Sequence, residues 1–253
     1  MEIAKINTGR HGPASAQLRR KPLPNFLRCR FACSFAALLL TGSPTDAATR
    51  RLDYRVSHST YGDIGTYSNV IETEGATTTV TSALDVKVTI LGLVAYRRES
   101  RRVEQWNGDR LISFHGVSNM NGKKIVVSGA AVGDGFVVTL PSGKVTAPAS
   151  IRVANPWTGN TLNGDTILLP DEGVVQRARL IDGGEASVTI GDREVRARQY
   201  DIALIGAKKH YLVWFDAADT PVKFNIFDSD GICTFTLSGP KPPDVLLAQR
   251  APR

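Results

Sequence analysis

The sequence predicts an almost all-β protein: a large curved antiparallel meander, a half-barrel or a barrel, interrupted by one irregular segment with room for a short helix. Three observations carry this expectation. Apolar residues recur at a period of two along most of the chain after Leu52. Glycine-containing turn signals separate the runs, and no stretch of helical period lies between them, which leaves no place for parallel crossovers.

Residues 1–47 read as an export leader. The basic residues Lys5, Arg10, Arg19, Arg20, Lys21, Arg28 and Arg30 stand against only Glu2 and Asp46, so this segment supplies five of the seven net positive charges of the chain. The apolar run Phe31–Leu40 follows, Gly42, Ser43 and Pro44 break it, and Ala47-Ala48 offers a small-residue cleavage point. An apolar run of about ten residues is half of what a membrane span needs. The expectation is therefore a periplasmic protein with no transmembrane span in the mature chain. Cys29 and Cys33 fall in the leader, and Cys233, alone in the remainder, permits no disulfide framework.

Residues 48–238 read as one antiparallel β domain, long enough for a proper core. "LDVKVTI" sets the pattern, with Leu84, Val86, Val88 and Ile90 on one face and Asp85, Lys87 and Thr89 on the other. Comparable runs cover 52–58, 64–74, 77–90, 94–106, 110–118, 123–131 and 135–140. After a gap they resume at 174–181, 186–190, 194–205, 210–216, 222–228 and 232–238. Turn signals fall between them: Asn107-Gly108, Asn121-Gly122, Gly133-Asp134-Gly135, Ser142-Gly143, Asp182-Gly183-Gly184, Gly191-Asp192 and Asp230-Gly231. The gap, 141–172, carries four prolines without clean alternation and reads as a lid or a crossover, with a short helix over Pro148–Asn155. Residues 239–253 read as a disordered tail.

One run is unusually charged. "RRESRRVE", residues 97–104, holds four arginines and two glutamates and leads into Trp106. The interleaved acids cancel the field that nucleic-acid binding would need. Arg98, Ser100, Arg102, Glu104 and Trp106 share one face, which predicts a same-face ion pair between Arg102 and Glu104, bracketed by Tyr96 and Trp106.

Catalytic patterns are missing. His58, His115 and His210 lie on separate runs without metal-ligand spacing, and Cys233 alternates with Ile232 and Thr234 as a small apolar residue would. No nucleophile elbow or phosphate-binding loop occurs, so neither catalytic residues nor metal nor cofactor are expected. The aromatic residues are the better lead. Tyr96, Arg102, Glu104, Trp106, Trp157 and Trp214 are the candidate ligand-binding residues, with Trp157 in the irregular segment placed to close a cavity over the sheet.

The order of motifs resembles a family of exported bacterial β-proteins described as a domain of unknown function. The residues that carry the likeness are "YRVSHSTYGDIGTYS" (54–68), "LGLVAYRRESRRVEQWNGDRLISF" (91–114), "REVRARQYDIAL" (193–204) and "YLVWFDAADTPVKFNIF" (211–227). More loosely, the architecture is similar to the half-barrel carriers of lipids and lipoproteins in the periplasm. The resemblance implies an envelope β-protein without a catalytic signature. The function expected is therefore non-enzymatic: binding of a lipid or other apolar or amphipathic envelope ligand on the curved sheet. The alternative is a structural or interaction protein that offers an exposed sheet edge to an envelope protein partner.

Overall fold

The computed structural model describes residues 47–238, so all of the expected leader but Ala47, and the expected tail at 239–253, lie outside the described residues. Fifteen strands form one sheet in the order β8-β7-β6-β5-β4-β3-β2-β1-β15-β14-β13-β12-β11-β10-β9. The strands are β1 (Ala48–His58), β2 (Gly62–Glu74), β3 (Thr77–Ile90), β4 (Leu93–Asn107), β5 (Arg110–Met120), β6 (Lys123–Val132), β7 (Gly135–Leu140) and β8 (Gly143–Pro148). They continue with β9 (Arg152–Val153), β10 (Thr166–Leu169), β11 (Val174–Ile190), β12 (Arg193–Leu204), β13 (His210–Phe215), β14 (Pro221–Asp228) and β15 (Gly231–Leu237).

Two features make this a rolled sheet. Paired strands are consecutive in sequence, except that β1 pairs with β15, with Tyr54 opposite Leu237 and His58 opposite Cys233. The two terminal strands of the sheet, β8 and β9, are joined by only Ala149, Ser150 and Ile151. Laid flat, fifteen strands at about 4.8 Å spacing would separate them by roughly 67 Å. A three-residue link reaches at most about 15 Å. The sheet must therefore curl until its ends almost meet, without pairing.

Every run read from the alternation falls on a strand, three of them (194–205, 210–216 and 232–238) overrunning its end by one residue, with two corrections. Residues 174–181 and 186–190 belong to the single strand β11, because Asp182-Gly183-Gly184 makes a bulge and not a hairpin turn: Asp182 lies opposite Tyr200 and Gly184 opposite Gln199, with one residue left over. The helix expected over Pro148–Asn155 does not form. Ile151 and Val153 turn inward as buried residues, and β9 pairs in parallel with β10 through Arg152–Ile167 and Val153–Leu168. This is the one parallel pair among the described residues, and the helical turn that does occur, a 3₁₀ turn, falls later, at Gly159–Leu162.

The segment 141–172 neither caps an open bowl nor skirts it. Ile151, Val153, Leu162 and Leu168 belong to the same buried cluster as Tyr54, Tyr67, Val80, Trp106, Phe114, Phe136 and Val213 from the inner face of the sheet. It is a plug. Burying those four aliphatic side chains is worth roughly 1.5–3 kcal/mol each before the cost of ordering the segment.

Candidate functional site

Adjacent cross-strand rows on the inner face of β2–β6 place polar side chains among apolar ones. One row runs Asn69, Ser82, Arg102, Gly116, Val127, and the next runs Tyr67, Leu84, Ser100, Ser118. A third runs Ile71, Val80, Glu104, Phe114. A side chain at Gly116 would press on the Phe114 ring, 2.9 Å from its Cβ, while Arg102 Cγ at 3.5 Å is in ordinary contact.

Two residues of the plug satisfy these groups. Asn155, 1% exposed, accepts hydrogen bonds from Tyr67 Oη at 2.6 Å and Asn69 Nδ2 at 3.0 Å. It donates to Ser82 Oγ at 3.0 Å and to Glu104 Oε1 at 2.7 Å, which uses its whole amide. The second oxygen of Glu104 accepts from Trp106 Nε1 at 3.0 Å. Asp171 closes the other end. It pairs with Arg102 at 2.6 Å and Arg98 at 2.5 Å, and accepts from the Ser118 hydroxyl.

The charges follow from these contacts. Burial alone would raise the Asp171 carboxyl, but Arg102 and Arg98 pull it down to about 2. Burial likewise opposes the Arg102 charge, yet Asp171, Tyr67 and Glu104 outweigh it and hold the guanidinium above its ordinary value. Glu104, with 0% of its surface exposed, goes the other way. Burial lifts its carboxyl to about 7, against the hydrogen bonds of Asn155 and Trp106 and the charge of Arg102. Tyr67 is raised to about 12 by the same burial. Chemically, Glu104 can hold or release a proton near neutrality, but it meets no solute from outside.

Of the six candidate residues, Arg102, Glu104, Trp106 and Trp157 come together. Trp106 and Trp157 meet edge to face at 6.0 Å, and the Arg152 guanidinium lies 5.6 Å from the Trp106 ring. Trp157 Nε1 is buried without a hydrogen-bond partner. Tyr96 only packs against the rim of the core, opposite Val88. Trp214 is elsewhere. It points away from Val213 and Phe215, into a separate cluster with Val188, Ile190, Ala197 and Val222.

The expected Arg102–Glu104 ion pair is absent, because Asp171 takes the guanidinium and Glu104 is held by an amide and an indole. The residues the sequence reading missed, Asn155 and Asp171, both sit in the segment without alternation. The signal available was compositional: a run carrying four arginines with two acids needs counter-charge from elsewhere if any of it is buried.

Cys233 is half-buried against the core, and burial pushes its thiol up, away from the reactive thiolate. Among the described residues no group of His, Cys, Asp or Glu has the arrangement to hold a metal ion. No helix there is long and apolar enough to cross a membrane, which leaves strand-crossing unaddressed. A solvent-open depression of about 510 Å³ is lined by Glu185, Ala186, Ser187, Glu194 and Arg196. A crevice of about 10 Å³ between Arg152, Leu162, Ile167 and Ile202 has room for about one water.

No curated protein matches the chain. Among solved structures it is similar to the β-barrel-like protein of domain of unknown function DUF1849 from Brucella abortus, at a TM-score of 0.54 and 11% identity, over 75% of this chain and 95% of that one. At that identity the likeness concerns the fold alone. The family model for the domain of unknown function DUF6134 matches residues 54–235, from β1 to β15, and the chain belongs to that family.

Proposed function

We propose that the protein is an exported, non-enzymatic component of the cell envelope that binds an apolar or amphipathic envelope ligand with its outer surface. The observation that supports this is the plugged interior. Where a ligand would lie on the concave face, Ile151, Val153, Leu162 and Leu168 are already packed, and Asn155 and Asp171 satisfy the polar groups a ligand would address. The edge-strand alternative has less in its favour. β8 is short, carries Lys144 and ends at Pro148, and β9 has only two residues; these are devices that blunt strand addition.

Protein recovered from its native host tests both halves of the proposal. Its N-terminus should lie near Ala48, and an intact Met1 or Glu2 start would remove the case for export. Organic extraction followed by mass spectrometry should release no stoichiometric lipid. One tightly held lipid per chain would return the binding site to the interior.

A further inference from the structure

The rim of the sheet carries an apolar projection that the core does not use. At the turn between β3 and β4, Leu91 is 98% exposed, Leu93 75%, Val94 58% and Ile90 46%. Single exposed apolar residues are ordinary, but four within five consecutive positions are not. The hairpin also stands clear of its neighbours. Val86 is the last β3 residue paired with β2, and Arg98 is the last β4 residue opposite β5. Val88 and Tyr96 still touch the core, and Arg97 exchanges hydrogen bonds with Asn121, but from Thr89 to Ala95 the hairpin pairs only with itself, a projection of roughly 10 Å at the usual rise per residue.

The turn itself argues that the leucine has a task. Leu91 and Gly92 have φ of 50° and 80°, and Asn121 and Gly122, in the next turn along the same rim, have φ of 50° and 86°. Both are two-residue hairpins of the kind for which Asn-Gly is the preferred pair. Leucine is a poor occupant of a left-handed position, where its Cβ is crowded by the following carbonyl. One hairpin thus uses the comfortable residue, and its neighbour uses an apolar one in the same conformation, pointed into solvent.

The surroundings give the partner's chemistry. Lys87 and Arg97 face each other at the base of the projection, and Lys123 and Lys124 begin β6, one strand beyond β5, at the same rim. The acids of these two strands, Asp85 and Glu99, lie two cross-strand pairs further from the tip, where Glu99 binds Arg97 at 2.7 Å, and Asp63 stands near the β1–β2 turn, paired loosely with Arg55. On the other side, Tyr61 is 49% exposed in the β1–β2 turn and stacks on His58. An apolar tip, a basic collar and an exposed tyrosine at the same rim match the depth profile of a lipid interface: acyl region, phosphates and headgroup boundary.

We propose that the Ile90–Val94 hairpin tip inserts into the surface of an anionic lipid bilayer, with Lys87, Lys123 and Lys124 against the lipid phosphates. This rests on the outer-surface reading and names its ligand. The test is co-sedimentation of the full chain with vesicles of phosphatidylglycerol and phosphatidylcholine, compared with phosphatidylcholine alone. The wild type should bind the anionic vesicles more tightly, and added salt should weaken that binding.

Leu91→Asn is the decisive variant, because asparagine suits the left-handed turn and the hairpin should fold at least as well. It should bind about tenfold more weakly or worse, with no loss in thermal midpoint, since burying a leucine is worth at least that factor. Lys123→Gln with Lys124→Gln should weaken binding to anionic vesicles and leave phosphatidylcholine binding unchanged. Equal vesicle binding by Leu91→Asn, or no vesicle binding by the wild type, overturns the proposal. So does capture of a protein partner that survives Leu91→Asn. Extraction of an internal lipid would sink the outer-surface reading while leaving the vesicle result standing, so the two failures are distinguishable.

Discussion

Asp171→Ala should destabilise the fold by about 3–5 kcal/mol, the cost of stranding a buried cation. Asp171 is the ionic partner of both Arg98 and Arg102 and also receives the Ser118 hydroxyl. The arginines differ in what they can do without it. Arg98, with 25% of its side chain exposed, can turn to water, whereas Arg102, at 7%, cannot. Asp171→Asn should fall between alanine and the wild type, since an amide still offers an oxygen but no charge. Urea melts of the three proteins give the answer, and coincident midpoints would mean that Asp171 contributes nothing to holding the plug. Glu99→Gln provides the contrast. Its pair with Arg97 has side chains 41% and 56% exposed, and its loss should cost about 0–1 kcal/mol.

Glu104 should make the protein less stable as pH rises from about 4.5 toward 7 and beyond. Its folded carboxyl sits at about 7, above its ordinary 4.5. A group raised in this way favours the folded state fully below the lower value, and that contribution is lost as pH climbs through the higher one. At about 1.4 kcal/mol for each tenfold change in proton affinity, the gap amounts to on the order of 3 kcal/mol. Glu104→Gln should remove this slope, and so gain on the wild type between pH 5 and pH 8, whatever its own offset from one mismatched hydrogen bond. Parallel pH slopes for the two proteins would refute the assignment. Asp171 acts in another window: held near 2, it adds stability above about 3.8 that is lost as pH falls toward 2.

The sequence expectation was different, and the reason is instructive. Period-two alternation showed that Arg102 and Glu104 share a face with Trp106, and they do. From that it followed that losing Glu104 would strand Arg102, which the structure reverses by supplying Asp171 from a distant segment. Alternation reports which face a residue occupies, but it is silent about what another part of the chain brings to that face. The same limit explains β8, β9 and β10. Their runs are two to six residues long, too short for a period to show. It also explains β11, where Asp182-Gly183-Gly184 has the composition of a hairpin turn, yet the alternating run resumes beyond it in the same strand and keeps the same partner. Leu91 was legible as an apolar residue before a glycine. That it stands alone in solvent depends on where β2 and β5 stop, which only the register shows.

The β1–β15 ladder has a consequence for how the chain reaches this state. Along β1–β8 and β11–β15 each ladder joins strands that a tight turn or short loop already holds together, so those hairpins can form locally within microseconds. The β1–β15 ladder joins residues about 180 positions apart, and its loop-closure entropy, growing as (3/2)RT ln n, is on the order of 4–5 kcal/mol. It unites two meanders, β1–β8 and β9–β15, that would otherwise be separate zippers. The plug begins the second of these and fills the inner face of the first, so neither half can complete its interior alone. Refolding should therefore show fast acquisition of strand signal followed by a slower phase in which Trp106 and Trp157 are buried, and that phase belongs to the union of the halves.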